Sequence, residues 1–233
     1  MGKYYDELCE DYRFKEGMHT CINCGTCTAI CPAAEFYRYD PRKIVDTVQR
    51  KDDDEIEALL KSETIWYCGE CMSCLTRCPR KNGPGLVIMA LRKLSTKYGF
   101  FTCSERGRQL YPLSKALNGN ILKYGYCIHA ESFTMKDHPE AGPVFAWHLD
   151  HREDSYARQG ANYMKPGPGA MRLIAKEDLD ELKAIFDVTG GTEWMETIDR
   201  FSEEKAREMG MTMDEYREYT FTHCSPGHFN NEE

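Results

Sequence analysis

The chain has 233 residues, 41% of them hydrophobic and 12% aromatic, which suits one large or two small globular domains with a real core. Its formal net charge is −8, and residues 177–233 carry 5 basic against 16 acidic side chains, a surface that repels nucleic acid and anionic lipid. The longest uninterrupted apolar run, Leu86–Leu91, has 6 residues against the roughly 20 that cross a bilayer, and the start, Met1-Gly-Lys-Tyr-Tyr-Asp, lacks a secretory apolar stretch; the expected location is the cytoplasm.

In chain order, Tyr4, Leu8 and Tyr12 recur at helical spacing before the first cysteine-rich run, CINCGTCTAICP, which begins at Cys21. Pro41 opens a segment with Ile44, Val45 and Val48 on one face, and Asp52 or Asp53 caps a second with Ile56, Leu59 and Leu60 together. The run CGECMSCLTRCP then begins at Cys68. After it Gly83-Pro84-Gly85 leads into an apolar helix over Leu86–Tyr98, with Arg92, Lys93 and Lys97 late in it and Gly99 beyond its end. Residues 1–118 therefore read as one all-helical domain. Residues 119–233 read as a mixed, mainly helical acidic extension: a short strand over Ile121–Ile128, a turn at KPGPG (165–169), helices over Asp178–Val188 and about Thr192–Met209, and a capping box of Thr212 with Glu215 before a last short helix.

Eight of the 12 cysteines fall in the two runs; Cys9, Cys103, Cys127 and Cys224 are scattered and read as small packing side chains. Without an export signal, such density points to metal rather than disulfides. The spacing Cys21-x2-Cys24-x2-Cys27-x3-Cys31-Pro32, repeated as Cys68-x2-Cys71-x2-Cys74-x3-Cys78-Pro79, is the bacterial ferredoxin run for [4Fe–4S] clusters. Three closely spaced cysteines cover three irons of a cubane, and the fourth iron needs a distant ligand. In two-cluster ferredoxins the fourth cysteine of each run serves the other cluster. The same sharing here gives Cys21, Cys24, Cys27 and Cys78 for one cluster, and Cys68, Cys71, Cys74 and Cys31 for the second. Two [4Fe–4S] clusters close enough to exchange an electron are thus the expected cofactors.

Gly25 and Gly69 suit loops wrapped round a cluster, and Pro32 and Pro79 suit the first turn of a helix. Arg38, Arg42, Lys43, Arg77, Arg80 and Lys81 either offset cluster charge or form a solvated basic face. Zinc is the competing metal, but a zinc site takes two cysteine pairs and leaves the further cysteine of each run unexplained. His148 and His151, with His129 and His138 nearby, and the group His223, Cys224 and His228, are read as surface or packing residues rather than metal ligands. No catalytic constellation is present.

CINCGTCTAICP, the long spacer ending in WYCGECMSCLTRCP, and the following GLVIMALRK resemble the C-type subunit of heterodisulfide reductase and its relatives. Similar frames occur in iron–sulfur subunits of succinate, fumarate, glycerol-3-phosphate and glycolate oxidoreductases. The resemblance implies the α-helical ferredoxin fold and a non-catalytic electron relay between a flavin-binding A-type subunit and a cysteine-rich B-type subunit, in thiol–disulfide or sulfur metabolism. The chain has no upstream [2Fe–2S] segment and no adjacent cysteines of the B type, so the expectation is a freestanding C-type wire in a cytoplasmic hetero-oligomer, membrane-associated only through partners. Its acidic extension departs from the shorter methanogen type and is similar to the related complexes of sulfur oxidisers. An iron–sulfur subunit of a flavin dehydrogenase feeding quinone, and a zinc-bound interaction module, are the alternatives.

Overall fold

The computed structural model describes residues 2–135 and 141–222, and its regular elements are all helical. The N-terminal pattern forms two helices, α1 (Lys3–Glu10) and α2 (Tyr12–Gly17). Between them Asp11 turns out of the helix with ψ 128°, and its carboxylate accepts from the Arg13 N–H at 2.9 Å. The break turns Tyr12 outward, 70% exposed, while Leu8 stays buried.

The short helices α3 (Thr26–Ala29) and α4 (Ala33–Phe36) lie in and just after the first cysteine run. The spacer holds α5 (Pro41–Arg50) and α6 (Asp53–Lys61), both started by aspartate caps. Asp40 accepts from the N–H groups of Arg42 and Lys43 at 3.0 and 3.3 Å, and Asp52 from those of Asp54 and Glu55 at 3.0 and 3.2 Å. Ile44, Val45 and Val48 of α5 and Ile56 and Leu60 of α6 are buried. Asp53 faces the other way and caps α1, accepting from Tyr4 N and Tyr5 N at 3.0 and 3.1 Å.

Within the second run lies α7 (Ser73–Arg77), followed by α8 (Pro84–Lys97). Pro84 occupies the first turn of α8, where its missing N–H costs nothing. This helix buries Val87, Ile88, Ala90, Leu91 and Leu94, each large side chain contributing about 1.5–3 kcal/mol, and packs against α1, α2, α5, α6 and α7. Its buried hydroxyls find acceptors: Ser95 donates to the Leu60 carbonyl at 2.7 Å and Thr96 to the Arg92 carbonyl at 3.0 Å. It is the hub of the core that also holds Leu8, Phe14, Tyr39 and Ile65.

The end of α2 meets the start of α8 through backbone. Gly83 N donates to Gly17 O at 2.8 Å, and a Cβ at Gly17 would stand 2.9 Å from the Gly83 carbonyl oxygen and 2.8 Å from Leu86 Cβ. Neither neighbour is the free end of a flexible chain. Gly17→Ala should therefore destabilise the protein by about 1–3 kcal/mol, read as a lower midpoint in anaerobic denaturant unfolding; an unchanged midpoint would show that the two helices can separate freely.

Contacts divide the chain into two units, one formed by residues up to Leu110 with those from Thr197 onward, the other by Tyr111–Glu196. Beyond α8, Gly99 takes the left-handed conformation and leads through a turn over Phe100–Cys103 into α9 (Glu105–Arg108). Next comes α10 (Leu110–Tyr124), which occupies half of the segment expected as a strand over Ile121–Ile128. The correction has a local cause: the helical pattern runs on until Gly125, which has φ +76° and donates to Ile121 O at 2.9 Å. The second unit continues with α11 (Gly142–Asp150) and α12 (Arg152–Arg158), then the KPGPG turn.

Towards the C-terminus come α13 (Lys176–Thr189), α14 (Gly191–Glu208) and α15 (Met213–Thr222). Thr212 and Glu215 form the reciprocal cap, with Thr212 N donating to Glu215 at 2.7 Å and Glu215 N to Thr212 Oγ1 at 3.3 Å. Among the described residues no helix is long and apolar enough to cross a membrane.

Candidate iron–sulfur centres

The two cysteine runs fold into matching loops. Asn23 and Glu70, equivalent in the repeat, have φ 58° and 55°, and their N–H groups point to the sulfurs of Cys21 and Cys68, each at 3.4 Å. Two residues on, Gly25 and Met72 are also left-handed, with φ 80° and 59°. Next to them, Thr26 Oγ1 lies 3.4 Å from Cys24 Sγ, and Ser73 Oγ lies 3.4 Å from Cys71 Sγ. The equivalent helices α3 and α7 pack directly on each other. Gly69 is not one of the left-handed positions; in the second loop Glu70 and Met72 take that conformation instead, so the glycine sits one residue away from the strained positions. Pro32 precedes α4 as expected, whereas Pro79 lies in a turn.

Cys21, Cys24, Cys27 and Cys78 line one cavity, together with Arg42 and Arg80. The other four cysteines influence one another electrostatically, Cys31 with Cys68, Cys71 and Cys74, and Cys74 with Cys68, and Cys27 and Cys74 influence each other across the two sets. Burial pushes the thiols of Cys31 and Cys74 up, reinforced by their cysteine neighbours, and burial lifts Cys27 to about 11. Half-buried thiols crowded in this way become thiolates only against added positive charge, which metal supplies.

Cys24 and Cys71 are the exposed members of the two runs. Hydrogen bonds from the Thr26 side chain and backbone hold Cys24 below the ordinary thiol value, and those from Ser73 do the same for Cys71. In the chain stripped of metal, these two should therefore alkylate first with iodoacetamide at neutral pH, ahead of Cys27, Cys31 and Cys74. Peptide mapping after brief labelling checks the order; preferential labelling of Cys27 would contradict it.

Polar residues outside the runs fix the loops from behind. Gln49 accepts from Cys21 N at 2.6 Å and donates to Cys21 O at 3.3 Å. Buried Asn82 accepts from His19 N at 2.7 Å and donates to Thr20 O at 3.5 Å, tying the approach to the first loop to the exit from the second. The Arg92 guanidinium donates to Ile65 O at 2.7 Å, Cys68 O at 2.6 Å and Glu70 at 2.7 Å. Of the basic residues near the motifs, Arg42 bonds Asp40 at 2.8 Å and Asn23 at 3.3 Å, and Arg80 reaches the first cavity. Arg38, Lys43, Arg77 and Lys81 do not line that cavity. Gln49, Asn82, Arg92 and Tyr39 carry no motif, and helical register alone would have picked out only Arg92, one turn before the end of α8.

The donor set fits [4Fe–4S] clusters better than zinc. Four thiolates on one zinc would stand about 3.8 Å apart, given Zn–S bonds of about 2.3 Å. Among the described residues no three His, Cys, Asp or Glu side chains converge closely enough to hold one ion, whereas a cubane binds each thiolate to a different iron. Of the described histidines, His129 is buried, stacked on Tyr124 at 4.1 Å and accepts from Glu131 N at its Nδ1 at 3.3 Å, while its Nε2 is unpartnered; His148 bonds Ser155 at 2.8 Å, and His151 bonds Trp147 O at 2.8 Å. His138 and the group His223, Cys224 and His228 lie outside the described residues. Cys9 is half-buried, but Cys103 and Cys127 are exposed and are not core residues; in the 3-10 turn before α9, Phe101 takes the inward position.

Residues 17–82 match the model of the 4Fe-4S dicluster domain, which supports [4Fe–4S] clusters in this segment. The chain is similar to C-type subunits of heterodisulfide reductases. It is 46% identical over 83 residues to the C-type subunit of ferredoxin:CoB-CoM heterodisulfide reductase from Methanosarcina acetivorans, covering 36% of this chain and 32% of that one. With a C-type iron-sulfur subunit of CoB–CoM heterodisulfide reductase from Methanocaldococcus jannaschii it shares 30% over 117 residues, 50% of this chain and 56% of the relative. The longest of these matches, to a C-type subunit of the H2/formate:CoB-CoM heterodisulfide,ferredoxin reductase from Methanococcus maripaludis, is 25% identical over 182 residues, 76% and 80% of the two chains. The chain thus spans about a third of the first of these relatives and little more than half of the second.

Proposed function

We propose that this protein is the electron-transfer subunit of a heterodisulfide reductase-like complex. In it Cys21, Cys24, Cys27 and Cys78 hold one [4Fe–4S] cluster, and Cys68, Cys71, Cys74 and Cys31 hold the second. The observation that carries the reading is the cavity in which Cys78, from the second run, stands among the first three cysteines of the first. When bound, each cluster takes up and releases one electron. The polypeptide supplies the rest: N–H groups of Asn23 and Glu70 aimed at ligand sulfurs, the hydroxyls of Thr26 and Ser73, and the guanidinium groups of Arg42 and Arg92 near loops that carry thiolate charge. Loops fixed in this way need little rearrangement when an electron arrives.

The partners in this reading are a flavin-binding A-type subunit and a cysteine-rich B-type subunit, the chemistry that of thiol–disulfide or sulfur metabolism, and the location the cytoplasm. Residues 1–118 form the cluster domain and 119–233 the partner-binding extension. On α13 no side chain is fully buried, and Ile185 and Val188 are 56% and 87% exposed, apolar surface that a partner would cover. Anaerobic affinity purification of the tagged chain from its own cells tests the proposal. Recovery of A- and B-type subunits, with reduction of the clusters by the A-type subunit, is expected. Recovery of a hydroxyacid or glycerophosphate dehydrogenase in their place would overturn it.

A further inference from the structure

Tyr39 is a core residue, 4% exposed, whose hydroxyl has no hydrogen-bond partner of ordinary geometry. A buried O–H without an acceptor is rare, because its lost hydration is not replaced. Its position is fixed from several sides. The Tyr39 N–H donates to Tyr37 O at 2.6 Å, and its ring stands edge-on to Tyr67 at 6.2 Å, the residue immediately before Cys68. Cys31, Tyr67 and Cys68 pack against the core to which Tyr39 belongs, and burial, with the Cys68 thiol after it, pushes the Tyr39 hydroxyl well above the ordinary phenol range.

Most donors to the cysteine sulfurs come in pairs related by the sequence repeat, Asn23 N with Glu70 N and Thr26 with Ser73. Tyr39 breaks the pairing, since no tyrosine lines the cavity of Cys21, Cys24, Cys27 and Cys78. We infer that the Tyr39 hydroxyl donates a hydrogen bond to the Cys68 sulfur and thereby sets the potential of the second centre above the value its loop alone would give. The inference rests on the proposed role of Cys68 as a cluster ligand. Donation to a ligand sulfur stabilises the more negative, reduced state, so potential rises with the strength of the donor. Tyr39 is thus a positioning residue that distinguishes two otherwise matching sites.

The test is a redox titration of the full chain, followed by electron paramagnetic resonance, for the wild type, Tyr39→Phe, and a chain with 3-fluorotyrosine at position 39 alone. Fluorination makes the phenol a stronger donor at nearly constant size. In Tyr39→Phe one of the two one-electron waves should move down, its reduced-to-oxidised ratio at fixed ambient potential falling about tenfold, about 59 mV. With fluorotyrosine the same wave should move up, and the other wave should stay in place in both proteins. Waves that do not move, that move together, or that move the same way in both variants overturn the inference. If Tyr39→Phe fails to retain a cluster, the fluorotyrosine protein decides alone. Failure of the ligand reading is visible separately, as wild-type iron and acid-labile sulfide too low for two clusters.

Discussion

Cys78→Ala should erase the same centre as Cys24→Ala, although the two residues lie in different runs, and Cys31→Ala should erase the same centre as Cys71→Ser. Each variant should retain about half of the iron and acid-labile sulfide, because one cubane keeps all four ligands while the other loses one. The electron paramagnetic resonance spectra should superimpose within each pair and differ between pairs. The expectation follows from the first cavity, where Cys78 stands with Cys21, Cys24 and Cys27, and from the mutual influence of Cys31, Cys68, Cys71 and Cys74. Spectra that pair by run, Cys31 with Cys24 and Cys78 with Cys71, would mean that each loop closes on its own cluster. In that case the two runs would be independent modules, and the packing of α3 on α7 would have no bearing on cofactor binding.

Arg92→Met should be the most damaging substitution outside the cysteines. The arginine side chain is 18% exposed and its guanidinium serves two backbone carbonyls and one carboxylate, all at 2.6–2.7 Å. Methionine keeps much of the stem but leaves the carbonyls of Ile65 and Cys68 without a donor, a cost of about 2–4 kcal/mol in total. Anaerobic denaturant unfolding measures this, and faster release of iron to a chelator from the centre that includes Cys68 should accompany it. Arg92→Lys should recover only part of the loss, because an ammonium cannot hold three acceptors in the planar fork of a guanidinium. Full recovery by lysine would show that charge matters here and the fork does not.

What is legible in the sequence is legible for local reasons. Caps and turn residues act within a few positions, so Asp52, Pro84, Gly99 and the Thr212–Glu215 box can be read directly and lie where helices begin or end. The cysteine runs are legible because a cubane demands fixed spacing. Gln49, Asn82 and Tyr39 are not, since their role depends on groups 28, 63 and 29 positions away respectively, and a single polar side chain leaves no periodic trace. Beyond residue 119 the apolar residues are fewer and less regular, and there the strand expected over Ile121–Ile128 gives way to helix in its first half and to bends in its second. Isolated β-like residues such as Ile121 and Tyr124 carry weight only when no stronger helical register runs through them, and α10 supplies one.

The joint between the two loops is made almost wholly of uncharged groups: the Asn82 amide between His19 and Thr20, and the main-chain bond from Gly83 to Gly17. Neither gains or loses a proton in the physiological range, and neither is weakened by dissolved ions as exposed pairs such as Lys15–Glu10 are. On the proposed reading, the spacing of the two centres is therefore set by bonds that neither salt nor a proton near neutral pH can weaken, leaving driving force as the variable that the surroundings can adjust.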